Sequence, residues 1–172
     1  MSESNRTGSH FAMADVSEKP ATRRVALASG LIRIGQKAFE LLEKGELPKG
    51  DPLALAEIAG VMAAKQTPKL IPLCHPISLS RASVHCELRP EAHAVEVYCV
   101  AEITERTGVE MEALTGLQVA LLTIWDLVKP VNPELEISDT RLLFKSGGKR
   151  GDWQHPDFEK AALPSEVAER LK

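Results

Sequence analysis

Aromatic residues are scarce in this sequence, at 4%, so a core has to be built from closely packed aliphatic side chains. Its three cysteines, Cys74, Cys86 and Cys99, are too few and too irregularly spaced for a disulfide framework, and an odd number leaves at least one thiol free. They read as reduced. No run approaches the roughly 18 apolar residues that cross a bilayer, and the N-terminus lacks the apolar stretch of a signal peptide. The expectation is a cytoplasmic protein with no membrane contact. An excess of positive charge is also missing: the formal net charge is -3, so no overall basic field argues for nucleic acid. Phosphate, if bound, has to be met by locally placed lysines.

What is present is globular. The 172 residues are one domain's worth, 44% hydrophobic and 26% charged, and at that size roughly two thirds of the unfolded chain's surface can be buried. The opening "MSESNRTGSHFAMAD" is small, polar and aperiodic, which predicts a disordered or leader-like N-terminus over residues 1–12.

From Thr22, "TRRVALASGLIRIG" alternates with period two, Val25 and Leu27 on one face and Ala26 and Ala28 on the other, and reads as a strand. "QKAFELLEKGE" places Ala38, Phe39, Leu41 and Leu42 at helical spacing and ends near Gly45. A turn at "LPKGD" precedes a second helix, "PLALAEIAGVMAAKQ", that starts at Pro52 and stops before Pro68. "RASVHCELRP" and "AHAVEVYCVAEIT" form a hairpin, a long helix spans about 108–129 up to Pro130, and "LEISDTRLLFKSGG" is a last strand. Strand, helices, strand, strand, helix, strand is the split βαβ order of an α+β ferredoxin-like subunit, an antiparallel sheet with helices on one face.

The long helix has two sides. At about 100° per residue, Leu114, Leu117, Leu121, Ile124 and Val128 gather on one, and Glu112, Thr115, Gly116, Val119, Thr123 and Asp126 on the other. Small residues between two acids suggest close packing against another element, a neighbouring copy or a ligand. Asp126 and Lys129 are neighbours on the helix surface, either as an ordinary ion pair or, in a partly dry cleft, as an acid/base pair.

"LIPLCHP", residues 70–76, admits three readings. A zinc site built from Cys74, His75, His85 and Cys86 fails on geometry, because His85 and Cys86 are adjacent on a strand and face opposite ways. A Cys74/His75 nucleophilic pair is weak, since such partners come from separated positions. The remaining reading is a loop stiffened by Pro72 and Pro76 that holds Cys74 and His75 still, with His75 either facing a ligand or capping the core. "KSGGKRGD" at 145–152 resembles a phosphate cradle without Walker spacing. With Lys49, Lys65, Lys69 and Lys129, its Lys145 and Lys149 are raw material for binding a polyphosphate.

Taken together, "DVSEKPATRR", "LPKGD", "AAKQTPKLIPLCHPISLS", "TGVEMEALTGLQVALLTIWDLVK" and "RLLFKSGGKRGD" resemble the cyclic pyranopterin monophosphate synthases, also called molybdenum cofactor biosynthesis protein C. The resemblance covers residues 15 to about 152. It implies a single domain over 13–152 followed by a longer than usual C-terminal tail, 153–172, able to form a short extra helix. It also implies a homohexamer, a trimer of dimers with the active site at a subunit interface. The implied substrate is a small molecule, (8S)-3',8-cyclo-7,8-dihydroguanosine 5'-triphosphate, a cyclic dihydro-GTP. It is rearranged by a lyase to cyclic pyranopterin monophosphate with release of pyrophosphate, and no metal or other cofactor is implied.

By the family's pattern Asp126 is the catalytic aspartate, with Lys129 and Lys49 beside it. Leu73, Cys74, His75, Met111, Glu112, Glu110, Arg24, Lys65 and Lys145 are substrate-binding. On this reading Lys145, Lys65 and Arg24 hold the triphosphate, and His75, Met111 and Glu112 hold the purine-derived part. The rival readings are a non-catalytic nucleotide-binding regulator, which would bind without turnover, and a structural oligomerisation protein, which would tolerate changes at Asp126 and Lys49.

Overall fold

A computed structural model describes residues 11–149, 151–158 and 163–171. The expectation of disorder over residues 1–12 falls almost wholly outside them. Strands β1 (Thr22–Arg33), β2 (Arg81–Arg89), β3 (Ala94–Glu105), β4 (Glu136–Ser146) and the two-residue β5 (Trp153–Gln154) form one antiparallel sheet in the order β2-β3-β1-β4-β5. Helices α1 (Gln36–Lys44), α2 (Pro52–Ala64), α3 (Thr67–Leu70) and α4 (Glu110–Val128) lie between the strands in sequence, and α5 (Ser165–Arg170) closes the chain. The first four strands reproduce the expected split βαβ arrangement.

The period-two reading of β1 is met residue by residue. Ala26, Ala28 and Ile32 join the core beneath α4, with Val97, Cys99 and Ala101 of β3. Val25 and Leu27 face the other way, into a smaller cluster with Tyr98, Val100 and Leu143. Small residues on the helix side let α4 come close, and a Cβ at Gly30 would sit 3.0 Å from a Leu121 methyl. α2 starts where Asp51 accepts hydrogen bonds from the Leu53 and Ala54 amides (2.9 and 3.2 Å) ahead of Pro52, a standard N-cap. It ends at Ala64, and the chain makes one further helical turn, α3, with Pro68 in its first positions.

Two expectations are revised. The small-residue side of α4 is given to α2 of the same chain. A Cβ at Gly116 would lie 2.7 Å from Cys99 Sγ and 3.0 Å from the Gly60 carbonyl, and one at Gly60 would lie 2.8 Å from the Gly116 carbonyl. The two helices therefore cross with backbone nearly touching backbone, and Thr115 and Gly116 are buried there. Second, α4 is by length and composition able to cross a membrane, which the sequence was not expected to offer; 56% of that window is buried within the protein, as a core helix requires.

Candidate active site

Six sequence-predicted residues, three from the first turn of α4 and three from the proline-bounded loop, stand near one another at the helix's N-terminal end. Leu73, Cys74 and His75 of the proline-bounded loop join Glu110, Met111 and Glu112 of the first turn of α4 in lining a cavity of about 240 Å³, with Ala14, Ile77, Thr107 and Gly108. The loop is anchored by a hydrogen bond from the Cys74 amide to the Ile71 carbonyl (3.1 Å). His75 Nε2 lies 2.8 Å from the Ala14 carbonyl oxygen. A carbonyl only accepts, so Nε2 carries a proton and Nδ1 is the nitrogen left for a ligand. His75 lines this cavity.

Glu112 is only 3% exposed. Removal from water is the main cause that raises its carboxyl pKa, and the neighbouring Glu110 adds to it, while the helix amide and His75 pull the other way. Burial likewise pushes the Cys74 thiol up, with the Glu112 charge adding to the effect, so this thiol is not an activated nucleophile.

Beyond Thr107 and Gly108, which it shares with the first cavity, lies a second of about 360 Å³ lined by Lys19, Arg24, Arg106, Lys145, Gly147 and Lys149. Among the described residues its charged lining is entirely cationic. Lys145 Nζ and Glu110 Oε1 pair at 2.8 Å across the boundary, and a Cβ at Gly108 would collide with that Glu110 carboxylate, so the glycine makes room for the bridge. Arg24 donates to the Glu105 carbonyl (3.3 Å). Lys19 and Arg106 were not among the expected site residues. Arg106 sits just past β3 and also holds the Ser17 carbonyl at 3.0 Å.

Asp126, Lys129 and Lys49 form a separate group at the other end of α4. Asp126 Oδ1 pairs with Lys129 Nζ at 2.7 Å, and Oδ2 with Lys49 Nζ at 3.0 Å. Lys49 also donates to the Asp126 backbone carbonyl at 3.0 Å. The hydrogen bond from Lys129, then that from Lys49, hold the Asp126 carboxyl below its ordinary range. The three side chains are about half exposed. From here α2 runs back along α4, through the Gly60/Gly116 crossing, and delivers Lys65, exposed at its C-terminal cap, and then the His75 loop to the opposite end.

Within one chain, then, the predicted residues form two groups. Fourteen residues of helix separate Glu112 from Asp126, about 21 Å along the axis. Between them α2 and α4 expose Leu55, Ile58, Met62 and Leu122 to solvent. His85 and Cys86 diverge as adjacent strand residues should: Cys86 packs on the helix-side core, while His85 pairs with Glu166 of α5 at 3.1 Å on the other face. Among the described residues no three His, Cys, Asp or Glu side chains are placed to share a metal.

Residues 13–148 match the MoaC family. The chain is 46% identical to the cyclic pyranopterin monophosphate synthase of Chloroflexus aurantiacus over 147 residues, 86% of this chain and 90% of that one. It is 48% identical to the protein of that name from Nocardioides over 145 residues, 84% of this chain and 89% of that one. With the one from Streptomyces griseus the identity is 51% over 142 residues, 83% and 79% of the two chains.

Proposed function

The chain belongs to the MoaC family, and from that premise we propose that it is a cyclic pyranopterin monophosphate synthase of molybdenum cofactor biosynthesis, a lyase acting on the cyclic dihydro-GTP. The observation that carries the reading is the pairing of two cavities around the first turn of α4, one cationic and one lined by an imidazole and a buried carboxyl. A triphosphate needs several positive charges at once, and Arg24 and Lys145, with Lys19, Arg106 and Lys149, supply them locally in a chain of net charge -3. The purine-derived part then faces His75, Met111 and Glu112. His75 Nδ1 accepts from it, and the buried Glu112, whose carboxyl resists ionisation, donates or accepts according to its protonation.

Closing a cyclic monophosphate breaks the bond between the α-phosphorus and the bridging oxygen, which leaves with pyrophosphate. The attacking hydroxyl must lose a proton, and the ring rearrangement moves others. Asp126 is the acceptor suited to that work, an ionised carboxylate flanked by two ammonium donors, Lys49 and Lys129. A group about 21 Å from Glu112 along the helix cannot serve the same substrate from within one chain. That separation supports a site completed between subunits, with the Glu112 end of one copy facing the Asp126 end of another. The exposed apolar residues of α2 and α4 are what such docking would cover. A homohexamer, a trimer of dimers in the cytoplasm, satisfies this arrangement, with residues 13–152 as the catalytic domain.

The test is incubation of the protein with the cyclic dihydro-GTP, followed by assay of pyrophosphate and of the fluorescent oxidised pterin. Both products are expected. Binding of the nucleotide without release of pyrophosphate would make the protein a regulator instead.

A further inference from the structure

The family match ends at residue 148, yet the chain goes on to build structure against the sheet. We propose that the described parts of the tail, residues 153–158 and 163–171, act as a strap that positions Lys145 for phosphate binding by gripping its strand from the far side of the sheet. The proposal rests on the reading of Lys145 as a phosphate ligand.

Three observations carry it. First, β5 pairs with β4 at the site residue itself: Lys145 stands opposite Trp153, and Phe144 opposite Gln154. Without β5 the end of β4 would be an edge strand with unpaired backbone groups, free to fray. The pairing continues as the His155 amide donates to the Leu143 carbonyl (2.8 Å), and the Gly147 amide donates to the Asp152 carboxylate (3.3 Å) across the turn.

Second, alternation sends the two neighbours to opposite sides. Lys145 stands opposite Ala26, whose side is the helix side, and its ammonium meets Glu110 there. Phe144 stands opposite Leu27, whose side is the other face, and its ring stacks on Phe158 of the strap (centroids 5.5 Å apart, planes at 23°). The strap thus holds the strand without occupying the cavity into which Lys145 reaches.

Third, the strap is itself tied down. Among the described residues, every member of the far-face cluster that does not lie on the sheet comes from it: Phe158, Leu163, Val167 and Leu171. Val167 is 2% exposed. Arg141 of β4 pairs with Asp157, His85 with Glu166, and Arg81 donates to the Arg170 carbonyl (2.8 Å). In the turn between the two arms, Gly147 and Gly148 have φ of 86° and 84°, and a Cβ on either would strike Arg23 or Arg24. The turn is therefore seated against the arginine that lines the same cavity, and a loosened strap would displace Lys145 and Arg24 together.

The test compares the full chain with Val167→Asp, which puts a charge into the buried docking point, and with Phe158→Ala, a milder change that keeps α5 and serves if the first variant does not fold. Amide hydrogen exchange over Lys145–Gly148 is read alongside calorimetric binding of inorganic tripolyphosphate. Expected are faster exchange at those amides and an affinity about tenfold weaker, the scale of one charge-assisted hydrogen bond. For turnover, KM is expected to rise by a similar factor with kcat within about twofold, and Phe158→Tyr, which keeps the ring, should restore both. Unchanged exchange overturns the strap. Faster exchange with unchanged tripolyphosphate affinity also overturns it, and Lys145→Ala in the otherwise intact chain then separates the causes. If Lys145→Ala weakens binding, only the strap fails; if it does not, the assignment of Lys145 to phosphate has failed with it.

Discussion

Glu112 and Asp126 stand about four turns apart on the same helix, and their carboxyl groups are pushed in opposite directions. At the N-terminal end Glu112 is taken out of water, and desolvation raises its pKa. Asp126, at the C-terminal end and half exposed, is held between two ammonium groups that lower it. One end of α4 is dry and shaped, suited to gripping a ring system. The other is wet and charged, suited to exchanging protons. A single helix carries two environments because the His75 loop covers only one of its ends.

The sharpest break in this contrast is Asp126→Asn. It removes the carboxylate and leaves Lys49 and Lys129 without a common partner, and pyrophosphate release is expected to fall by roughly two orders of magnitude or more, the usual scale for an acid/base group. Folding and oligomer size should stay intact, since exposed ion pairs contribute little to stability. Near-normal turnover would remove Asp126 from the mechanism.

Mixing the two ends tests whether they meet across subunits. Lys49→Ala and Glu112→Ala are each expected to be inactive. Unfolded and refolded together, they should recover roughly a quarter of wild-type activity, because a mixed dimer holds one doubly damaged and one intact site. Native mass spectrometry checks the mixing. Mixed assemblies with no recovery would place both residues in one site from one chain.

The seam joining the ends is open to overpacking. Gly60→Ala would set a methyl 2.8 Å from the Gly116 carbonyl and 2.7 Å from a Val84 methyl, and a backbone oxygen cannot swing aside. A loss of about 1–3 kcal/mol is expected, read as a lower urea midpoint. An unchanged midpoint would show that α2 and α4 separate more easily than their contact implies.

The smallest effect is on the pH dependence of stability, where the two carboxyls should act with opposite sign. Because Glu112 has a folded pKa raised above its ordinary 4.5, its contribution is fully present below that value and is lost as pH rises through the folded one. For Asp126, lowered from 3.8, the contribution is present above that value and is lost as pH falls through the folded one. Glu112→Gln should therefore flatten the decline on the rising side and Asp126→Asn the decline on the acid side. Urea midpoints measured from about pH 3 to pH 7 would show both. Equal slopes in the two variants would mean that the ends of α4 are not the different environments described.

Much of this was legible in the sequence. Alternation in "VALA" separated Val25 and Leu27 from Ala26 and Ala28, because a strand turns successive side chains to opposite faces whatever surrounds it. Pro52 after the turn "LPKGD" marked the start of α2, since a proline's fixed φ and missing amide suit a helix's first turn whatever lies farther away. Asp126 and Lys129 could be paired from their spacing alone, for the same local reason. The identity of the likeness also lay in the sequence, in long stretches whose order and residues are too specific for chance.

Decisions that depend on distant segments meeting were made only by the tertiary structure. The small face of α4 was open to a ligand or a second copy until α2 came to lie on it at Gly60. Lys19 and Arg106 line the cationic cavity only because the segment before β1 and the end of β3 converge on Lys145. The tail's helix could be suspected from its residues, but not that Val167 would join Leu27 in one cluster on the far face of the sheet. Local spacing determines which side chains share a face. Which face then meets which depends on contacts between residues far apart in the chain, and no short window of sequence contains both partners.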